Sequence, residues 1–255
     1  MSDINRKIND LVDIVKKLRS PEGCEWDKKQ TSESLIPYLL EEAYEVAESI
    51  TDGNSSNLKE ELGDLLLHIV FQSVLSEEKE DFLLSDVIDA INKKLIHRHP
   101  HIFDKNNNSS KQNWELSKKK SKNRESVLDG IPKSLPSLVT SERLQDKSAQ
   151  VGFEWENYQD VIDKIYEELE ELKLGIQEKD QDNIEEEIGD LLIGIVNLSR
   201  FLNVSAEVAM QKSNRKFYRR FTKMEKLIQN DNKEIDKLSL EELDSYWNKV
   251  KDEEQ

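Results

Sequence analysis

An internal repeat of an acidic segment constrains the fold of this chain more than any other feature. Two stretches of each copy align at an offset of 126 residues: LLEEAYEV at 39–46 with IYEELEEL at 165–172, and LKEELGDLLLHIV at 58–70 with IEEEIGDLLIGIV at 184–196. A shorter element upstream, GCEWD at 23–27, returns as GFEWE at 152–156. Elements that keep their order while their spacing drifts are typical of a duplication followed by changes in loop length. We therefore predict two copies of one structural unit.

The periodicity of apolar residues predicts that both copies are helical. Apolar residues recur every three or four positions from Ile4 to Leu18, and no segment shows the alternation typical of a half-buried strand. Further helices are predicted at 35–51, 57–79, 84–97, 110–125, 137–149, 157–178, 181–202, 204–229 and 239–251. We predict an all-α fold of tandem duplicated helical bundles. The stretch DGIPKSLPSL at 129–138 separates them into domains at 1–128 and 129–255.

The charge balance excludes several classes of partner. The chain has 53 Asp and Glu against 37 Lys and Arg, a formal net charge of −16, so we expect it to bind neither nucleic acid nor an anionic membrane surface. No apolar run approaches the roughly 18 residues of a membrane-spanning helix, and the first residues lack the apolar stretch of a signal peptide. A single cysteine, Cys24, excludes an internal disulfide. We predict a cytoplasmic protein.

Each copy carries four acidic residues at the same spacing. They are Glu42, Glu45, Glu61 and Asp64 in the first copy, and Glu168, Glu171, Glu187 and Asp190 in the second. Residues three apart on a helix project from one turn, so each pair can direct two carboxylates at a common point. The polar segment between the pairs suits a chain reversal, which would bring four carboxylates together from antiparallel helices. Oxygen ligands without His or Cys favour Mg²⁺ or Mn²⁺.

The alternative to a metal site is an acidic helix face that only meets water. Two observations favour the metal site: the four positions recur in both copies, and Asp64 and Asp190 lie inside apolar runs where an unpaired carboxylate costs several kcal/mol. Gly63 and Gly189 stand beside these aspartates. Close approach of a helix or a ligand, or ordinary packing, would explain the glycines equally well.

Other residues extend the site hypothesis toward phosphates and bases. Four basic residues follow a spacing of 4, 4 and 3, which puts them on one side of a helix: Lys212, Lys216, Arg220 and Lys223. This basic stripe is either a phosphate-binding surface or a solvated helix face. Trp114 and Trp247 could each stack on a base or cap the core. The run from His97 to His101 more plausibly closes a helix and contacts anions than binds a soft metal. His68, one turn after Asp64, fits a core position or one behind the metal ligands.

These motifs resemble those of the MazG-type nucleoside triphosphate pyrophosphohydrolases. The resemblance rests on EExxE followed by ExxD in both copies and on GCEWDKKQT, HRHPHIF, SLPSL, VGFEW and NRKFYRRF, and it spans nearly the whole chain. It implies tandem domains of the all-α NTP pyrophosphatase type that form a homodimer. It also implies Mg²⁺-dependent hydrolysis of nucleoside triphosphates to monophosphate and pyrophosphate, with roles in nucleotide-pool housecleaning and the stress response.

The resemblance also implies roles for single residues. It implies Glu168, Glu171, Glu187 and Asp190 as the metal ligands and catalytic carboxylates of the second copy, with Glu167 as a candidate base, and Glu42, Glu45, Glu61 and Asp64 as a further metal set. It implies nucleotide contacts by Lys164, Glu186, Lys216, Arg220 and Trp247. The first copy has Tyr38 in place of Lys164. We therefore predict that the second copy performs most of the turnover, and that the first is structural, regulatory or weakly active.

Two rival classes remain at this stage. A ferritin-like di-iron protein also places four carboxylates between helices, but neither copy has the Glu-x-x-His pair that such a site requires. The other rival is a non-catalytic acidic helical module that binds metal or nucleotide for regulation. It predicts no metal-dependent turnover and tolerance of alanine at Glu168 or Asp190.

Overall fold

The computed structural model describes residues 3–103 and 125–254 and divides the chain into two compact units, Met1–Ser109 and Ser110–Gln255. The described residues form helices and no strand, which confirms the all-α prediction. The division falls within 104–124, so the boundary between residues 128 and 129 stays a prediction. The predicted helix at 110–125 and Trp114 lie in this same stretch, almost wholly outside the described residues.

The first unit is built around two antiparallel helices. Its helices are α1 (Asp3–Arg19), α2 (Glu25–Lys29), α3 (Ile36–Asp52), α4 (Ser55–Glu78), α5 (Leu84–Arg98) and α6 (Pro100–Phe103). A two-residue turn joins α3 to α4: Gly53 adopts the left-handed conformation with φ of +67°, and the Asn54 side chain accepts hydrogen bonds from the first turn of α4. Helix α1 packs on α4 through a core that includes Val15, Val70 and Val74.

The second unit repeats this helix pair. Its helices are α7 (Ser137–Ala149), α8 (Tyr158–Glu178), α9 (Gln181–Phe201), α10 (Ala206–Asn230) and α11 (Leu240–Asp252), with a 3₁₀ turn at Ile235–Lys237. Lys179 and Asp180 form the reversal between α8 and α9, as Gly53 and Asn54 do in the first unit. A separate core between α10 and α11 includes Ile228 and Val250. The longer helices predicted within the described ranges are confirmed to within two residues at each end.

Two glycines set the distance between α8 and α9. A Cβ on Gly175 would lie 2.3 Å from the Asn183 Oδ1, and one on Gly194 would lie 2.9 Å from the Ile165 Cγ1. Both helices therefore approach closely at either end of the pair. By contrast, a Cβ on Gly189 would meet nothing within 4 Å among the described residues, so close packing inside the chain does not explain that glycine.

None of the described helices alone is long and apolar enough to cross a membrane. Helices α9 and α10 have the length and composition for it only when taken together, and a bend of 105° separates them.

Candidate active site

Helices α8 and α9 bring three of the four predicted carboxylates of the second unit together. One oxygen of each of Glu168, Glu171 and Glu187 lies within 4.8 Å of the other two. Glu168 and Glu187 are only 6% and 7% exposed. Three carboxylates at this distance repel one another unless a proton or a cation lies among them. The arrangement therefore has the donor atoms and the unbalanced charge of a site for a divalent cation.

Lys164 partly neutralises this group of carboxylates. Its Nζ lies 2.8 Å from the Glu168 Oε1 and 2.6 Å from the Glu167 Oε1. The hydrogen bond from Lys164 holds the pKa of Glu168 below its usual range. The pKa of Glu171 is raised, first by its hydrogen bond with Glu168, and the pKa of Glu187 is raised, first by burial. One lysine is thus too little charge for three carboxylates.

Asn183 positions the third carboxylate. Its Nδ2 donates a hydrogen bond of 3.0 Å to the Glu187 Oε1, while the Glu187 Oε2 is buried without a hydrogen-bond partner among the described residues. An unpaired buried oxygen costs about 1–3 kcal/mol, and a bound cation would satisfy it. Sequence reasoning missed Asn183 and the Gly175 that makes room for it. The signal was present, because Asn57 occupies the equivalent position of the first copy.

The fourth predicted ligand, Asp190, lies differently from expected. It is exposed and lines a cavity shared with Lys164 and Glu168, and it is not among the three clustered carboxylates. The expectation that its apolar run would bury it was wrong. The physical reason is that Asp190 lies on the side of α9 that also carries Gly194 and Asn197, and this side lines the cavity, so at Asp190 it is not covered by another helix.

The first unit repeats the carboxylates without the lysine. Glu42, Glu45 and Glu61 each place an oxygen within 4.8 Å of the other two. The pKa values of Glu42 and Glu61 are raised, mainly by burial and then by neighbouring carboxylates, including Asp64. Tyr38, the counterpart of Lys164, packs edge-on against another aromatic ring instead of carrying a charge. The first unit therefore has no lysine at the equivalent position to offset this repulsion.

This repulsion predicts a stabilising substitution. A raised pKa means that the folded chain binds a proton at Glu42 more tightly than the unfolded chain does. The protonated Glu42 therefore favours the folded state at low pH, and this contribution to stability is lost as pH rises through the raised pKa. We expect Glu42→Gln to stabilise the metal-free protein at pH 7 by about 0.5–1 kcal/mol. The gain should disappear below the ordinary carboxyl pKa. Calorimetric melting with a chelator present, at pH 7 and at a pH below the ordinary carboxyl pKa, measures this gain in stability.

Glu22→Gln, at an exposed carboxylate outside the cluster, is the control for this measurement. It should change the melting temperature little at either pH. A destabilised Glu42→Gln variant at pH 7, or a gain that persists at low pH, would contradict the electrostatic description of the first cluster.

The basic stripe on α10 has a different partner from the one predicted. Glu254 accepts hydrogen bonds from Arg220 at 2.8 Å and from Arg219 at 3.1 Å, with Lys223 at 3.4 Å, and these cations, Arg220 first, lower its pKa to about 2. Lys216 is exposed. In the described part of the chain no hydrogen bond or ion pair joins the stripe to the carboxylates. The stripe therefore stays a predicted phosphate surface.

The structure also describes the other residues that were predicted to contact the nucleotide, to act as the base or to lie in the core. Trp247 packs beside the core between α10 and α11, with its ring centroid 5.3 Å from that of Phe217, so it lies at a core edge. Glu186 is exposed on α9, and Glu167 contacts Lys164. His68 is buried, as expected for a core position, and burial lowers its pKa.

A helix ends within the run from His97 to His101, as predicted. Helix α5 ends at Arg98, and the His99 Nδ1 lies 2.8 Å from the Leu95 carbonyl oxygen. The described residues place no histidine in either group of potential metal ligands.

A cavity of about 520 Å³ adjoins the carboxylates of the second unit. Lys164, Glu168 and Asp190 form part of its wall, and other residues of α7, α8, α9 and the 152–155 segment form the rest. The volume falls in the range of pockets that hold small molecules. A cation site and a ligand-sized cavity thus share residues in the second unit.

Fold and site together define a class of all-α proteins in which duplicated helix pairs carry clustered carboxylates. The chain belongs to the MazG nucleotide pyrophosphohydrolase family, because the model of that domain matches it twice, at residues 30–103 and 156–225. Each matched range contains one of the carboxylate groups.

Curated relatives match nearly the full chain. The nucleoside triphosphate pyrophosphohydrolase/pyrophosphatase MazG of Thermotoga maritima is 48% identical over 253 residues, which cover 98% of each chain. The nucleoside triphosphate pyrophosphohydrolase of Escherichia coli K12 is 41% identical over 97% of this chain and 98% of its own. The uncharacterized protein YabN of Bacillus subtilis is 39% identical over 94% of this chain, which spans 51% of YabN.

Proposed function

We propose that the chain is a nucleoside triphosphate pyrophosphohydrolase whose second unit hydrolyses NTPs and dNTPs to monophosphate and pyrophosphate. Glu168, Glu171 and Glu187, with Asp190 at the cavity wall, would hold Mg²⁺ or Mn²⁺. The observation that carries this proposal is the buried Glu187 Oε2, which has no hydrogen-bond partner among the described residues, within a group of three carboxylates that Lys164 offsets in part. The names of the full-length relatives agree with it.

The chain's own residues suggest how the reaction would proceed. Bound divalent ions would neutralise charge on the phosphate oxygens, as in other phosphoryl transfers. Lys164, which contacts Glu168 and lines the cavity, would then be available to a phosphate oxygen. Glu167 would accept a proton from the attacking water as the bond between the α-phosphorus and the bridging oxygen breaks, and pyrophosphate would leave.

Further nucleotide contacts are proposed from the family resemblance. Lys216 and Arg220 would bind phosphates, and Glu186 and Trp247 would lie near the nucleotide. Arg220 would first have to exchange its hydrogen bond with Glu254 for one with a phosphate. The proposed cellular role is removal of unwanted nucleotides and a part in the stress response, in the cytoplasm.

Product analysis tests the reaction directly. The purified full chain is incubated with each nucleoside triphosphate and Mg²⁺, Mn²⁺ or a chelator, and the products are separated. Pyrophosphate formed only with metal is the expected result. Free phosphate would mean a different cleavage position, and no product would favour the non-catalytic regulatory module.

We also propose that the chain forms a homodimer through the apolar faces of its helix pairs. Exposed apolar residues recur at equivalent positions of the two units: Leu40 and Tyr166, Ile50 and Ile176, Leu62 and Ile188, Leu66 and Leu192, and Ile69 and Ile195. Exposed apolar surface of this extent on a folded protein marks an interaction site. A second copy of the chain would present the same surface, as a twofold interface requires.

A charged residue on this face should separate the dimer. We expect the unchanged protein to have twice the chain mass by light scattering and Leu192→Glu to have the chain mass, because a buried unpaired carboxylate costs several kcal/mol. Leu240→Glu, at an exposed apolar residue outside the repeated positions, is the control and should remain dimeric. A dimeric Leu192→Glu variant would place the interface elsewhere.

A further inference from the structure

Asn183 on α9 reaches Glu187 because the residue that faces it on α8 is a glycine. Gly175 is buried within α8, and a Cβ added to it would lie 2.3 Å from the Asn183 Oδ1 and 3.3 Å from the Asn183 Cγ. Atoms in a packed interior do not approach so closely, so a side chain at position 175 would displace the amide of Asn183. The space at Gly175 therefore maintains the hydrogen bond of 3.0 Å from the Asn183 Nδ2 to the Glu187 Oε1.

This hydrogen bond holds one of the three clustered carboxylates from behind. The Glu187 Oε1 accepts from Asn183, while the Glu187 Oε2 is buried without a hydrogen-bond partner among the described residues. A carboxylate that is already held in place loses less conformational freedom when it binds a cation. Residues that support metal ligands in this way typically change metal affinity by about 10- to 100-fold.

The first unit has the same backbone at this place but a different side chain. The Asp180 N–H donates to the Gly175 carbonyl oxygen at 3.0 Å, and the Asn54 N–H donates to the Ser49 carbonyl oxygen at 3.2 Å. The repeat offset of 126 residues pairs Ser49 with Gly175. Ser49 is buried, at 6% exposure. A Cβ and a hydroxyl thus stand in the first unit where the second unit has room for an amide.

The counterpart of Asn183 in the first unit, Asn57, does not support its carboxylate. Asn57 is exposed, whereas Asn183 is half-buried. In the described part of the chain no hydrogen bond joins the Asn57 side chain to Glu61, the counterpart of Glu187. Glu61 is also less buried than Glu187. Two units with equivalent carboxylates therefore differ in the support behind one of them.

On the basis of the proposed function, we propose that Gly175 and Asn183 are positioning residues of the second cation site and that Ser49 denies the first site the same support. Both residues act through Glu187. The absence of a side chain at position 175 lets the Asn183 amide hold the Glu187 carboxylate before Mg²⁺ or Mn²⁺ arrives. The pair raises the affinity of the second site for the cation, and the first site lacks this contribution.

Calorimetric titration of the full chain with Mn²⁺ tests the pair. Each protein also carries Glu45→Ala, which removes a carboxylate of the first group, so that the second site is titrated alone. Gly175→Ala and Asn183→Ala should each weaken Mn²⁺ binding by about tenfold or more. The two changes together should weaken it no further than either change alone, because both remove the same hydrogen bond.

The stability of Gly175→Ala separates a positioning role from a structural one. The displaced atoms belong to the end of the Asn183 side chain, and alanine favours a helix interior over glycine. We therefore expect the melting temperature of the metal-free variant to change by less than about 3 °C although its Mn²⁺ affinity falls. If Asn183→Ala does not fold, Gly175→Ala still tests the inference.

The first unit provides the matched controls, in a chain that carries Glu171→Ala so that the first site is titrated alone. Asn57→Ala should change Mn²⁺ affinity by less than about twofold, because Asn57 makes no contact with Glu61 to lose. Ser49→Gly should tighten binding by about threefold, because Asn57 can then turn toward Glu61. Ser49→Ala keeps the Cβ and should give no such gain.

The outcomes separate this inference from the proposed function. Unchanged Mn²⁺ affinity in Gly175→Ala and Asn183→Ala would overturn the positioning role, and additive losses would overturn the pairing of the two residues. An absence of any gain in Ser49→Gly would overturn the assignment of Ser49. Failure of the unchanged protein to bind Mn²⁺ at all would overturn the proposed function itself.

Discussion

Replacement of Glu171 by alanine is expected to lower the rate of pyrophosphate release by at least about 100-fold. The substitution removes one of three carboxylates that meet between α8 and α9, while the contact of Lys164 with Glu168 stays in place. The matched substitution in the first unit, Glu45→Ala, should leave more than about half of the activity. The first cluster has similar carboxylates, but it has Tyr38 at the lysine position.

Steady-state rates with saturating Mg²⁺ measure this difference, and calorimetric titration with Mn²⁺ counts the sites that each variant retains. Glu171→Ala should lose the binding event of the second unit, and Glu45→Ala that of the first. Equal losses of turnover in the two variants would contradict the assignment of turnover to the second unit. A larger loss in Glu45→Ala would move the catalytic site to the first.

The carboxylate groups were predictable because their geometry is local. A spacing of three residues on a helix and a short polar reversal together fix how two helices present their acidic side chains. The structure accordingly joins Glu42, Glu45 and Glu61 in one unit and their counterparts in the other. The repeat made this prediction strong, because the same arrangement had to form twice.

The exposure of Asp190 was not predictable in the same way. An apolar run shows that a helix face avoids water, but it does not show whether the same chain covers that face. Here Asp190 lies with Gly194 and Asn197 on the side of α9 that lines the cavity, so it stays exposed although it stands in an apolar run. Ile188 and Leu192, on the other side of α9, are also about half exposed, and that uncovered apolar face supports the proposed dimer.

Contacts between distant segments account for the other differences. The spacing of Lys216, Arg220 and Lys223 placed them correctly on one helix, but Glu254, the partner of Arg220 and Lys223, lies more than 30 residues away near the end of the chain. The cavity likewise combines side chains from four segments. Glu154 and Trp155 of this cavity belong to the repeated GFEWE element, so the repeat identified them without indicating that they line a cavity.

Lys164→Met is expected to change metal binding and turnover in opposite directions. In the metal-free protein Lys164 contacts Glu168, so a divalent cation must displace or tolerate its positive charge. Removal of that charge should tighten Mn²⁺ binding at the second unit by about three- to tenfold. Turnover should nevertheless fall by about 30- to 100-fold, because a cation beside the cavity no longer stabilises the charge that develops on the triphosphate.

Lys173→Met is the matched control. Lys173 forms an ion pair of 2.7 Å with Glu170 on the same helix, three residues apart as Lys164 and Glu167 are, but neither Lys173 nor Glu170 belongs to the carboxylate group or the cavity. It should alter neither quantity by more than about twofold. Titration calorimetry and pyrophosphate release measure the two effects separately. If Lys164→Met weakens metal binding and turnover together, the lysine serves to hold Glu168 in place, and its proposed contact with the triphosphate is wrong.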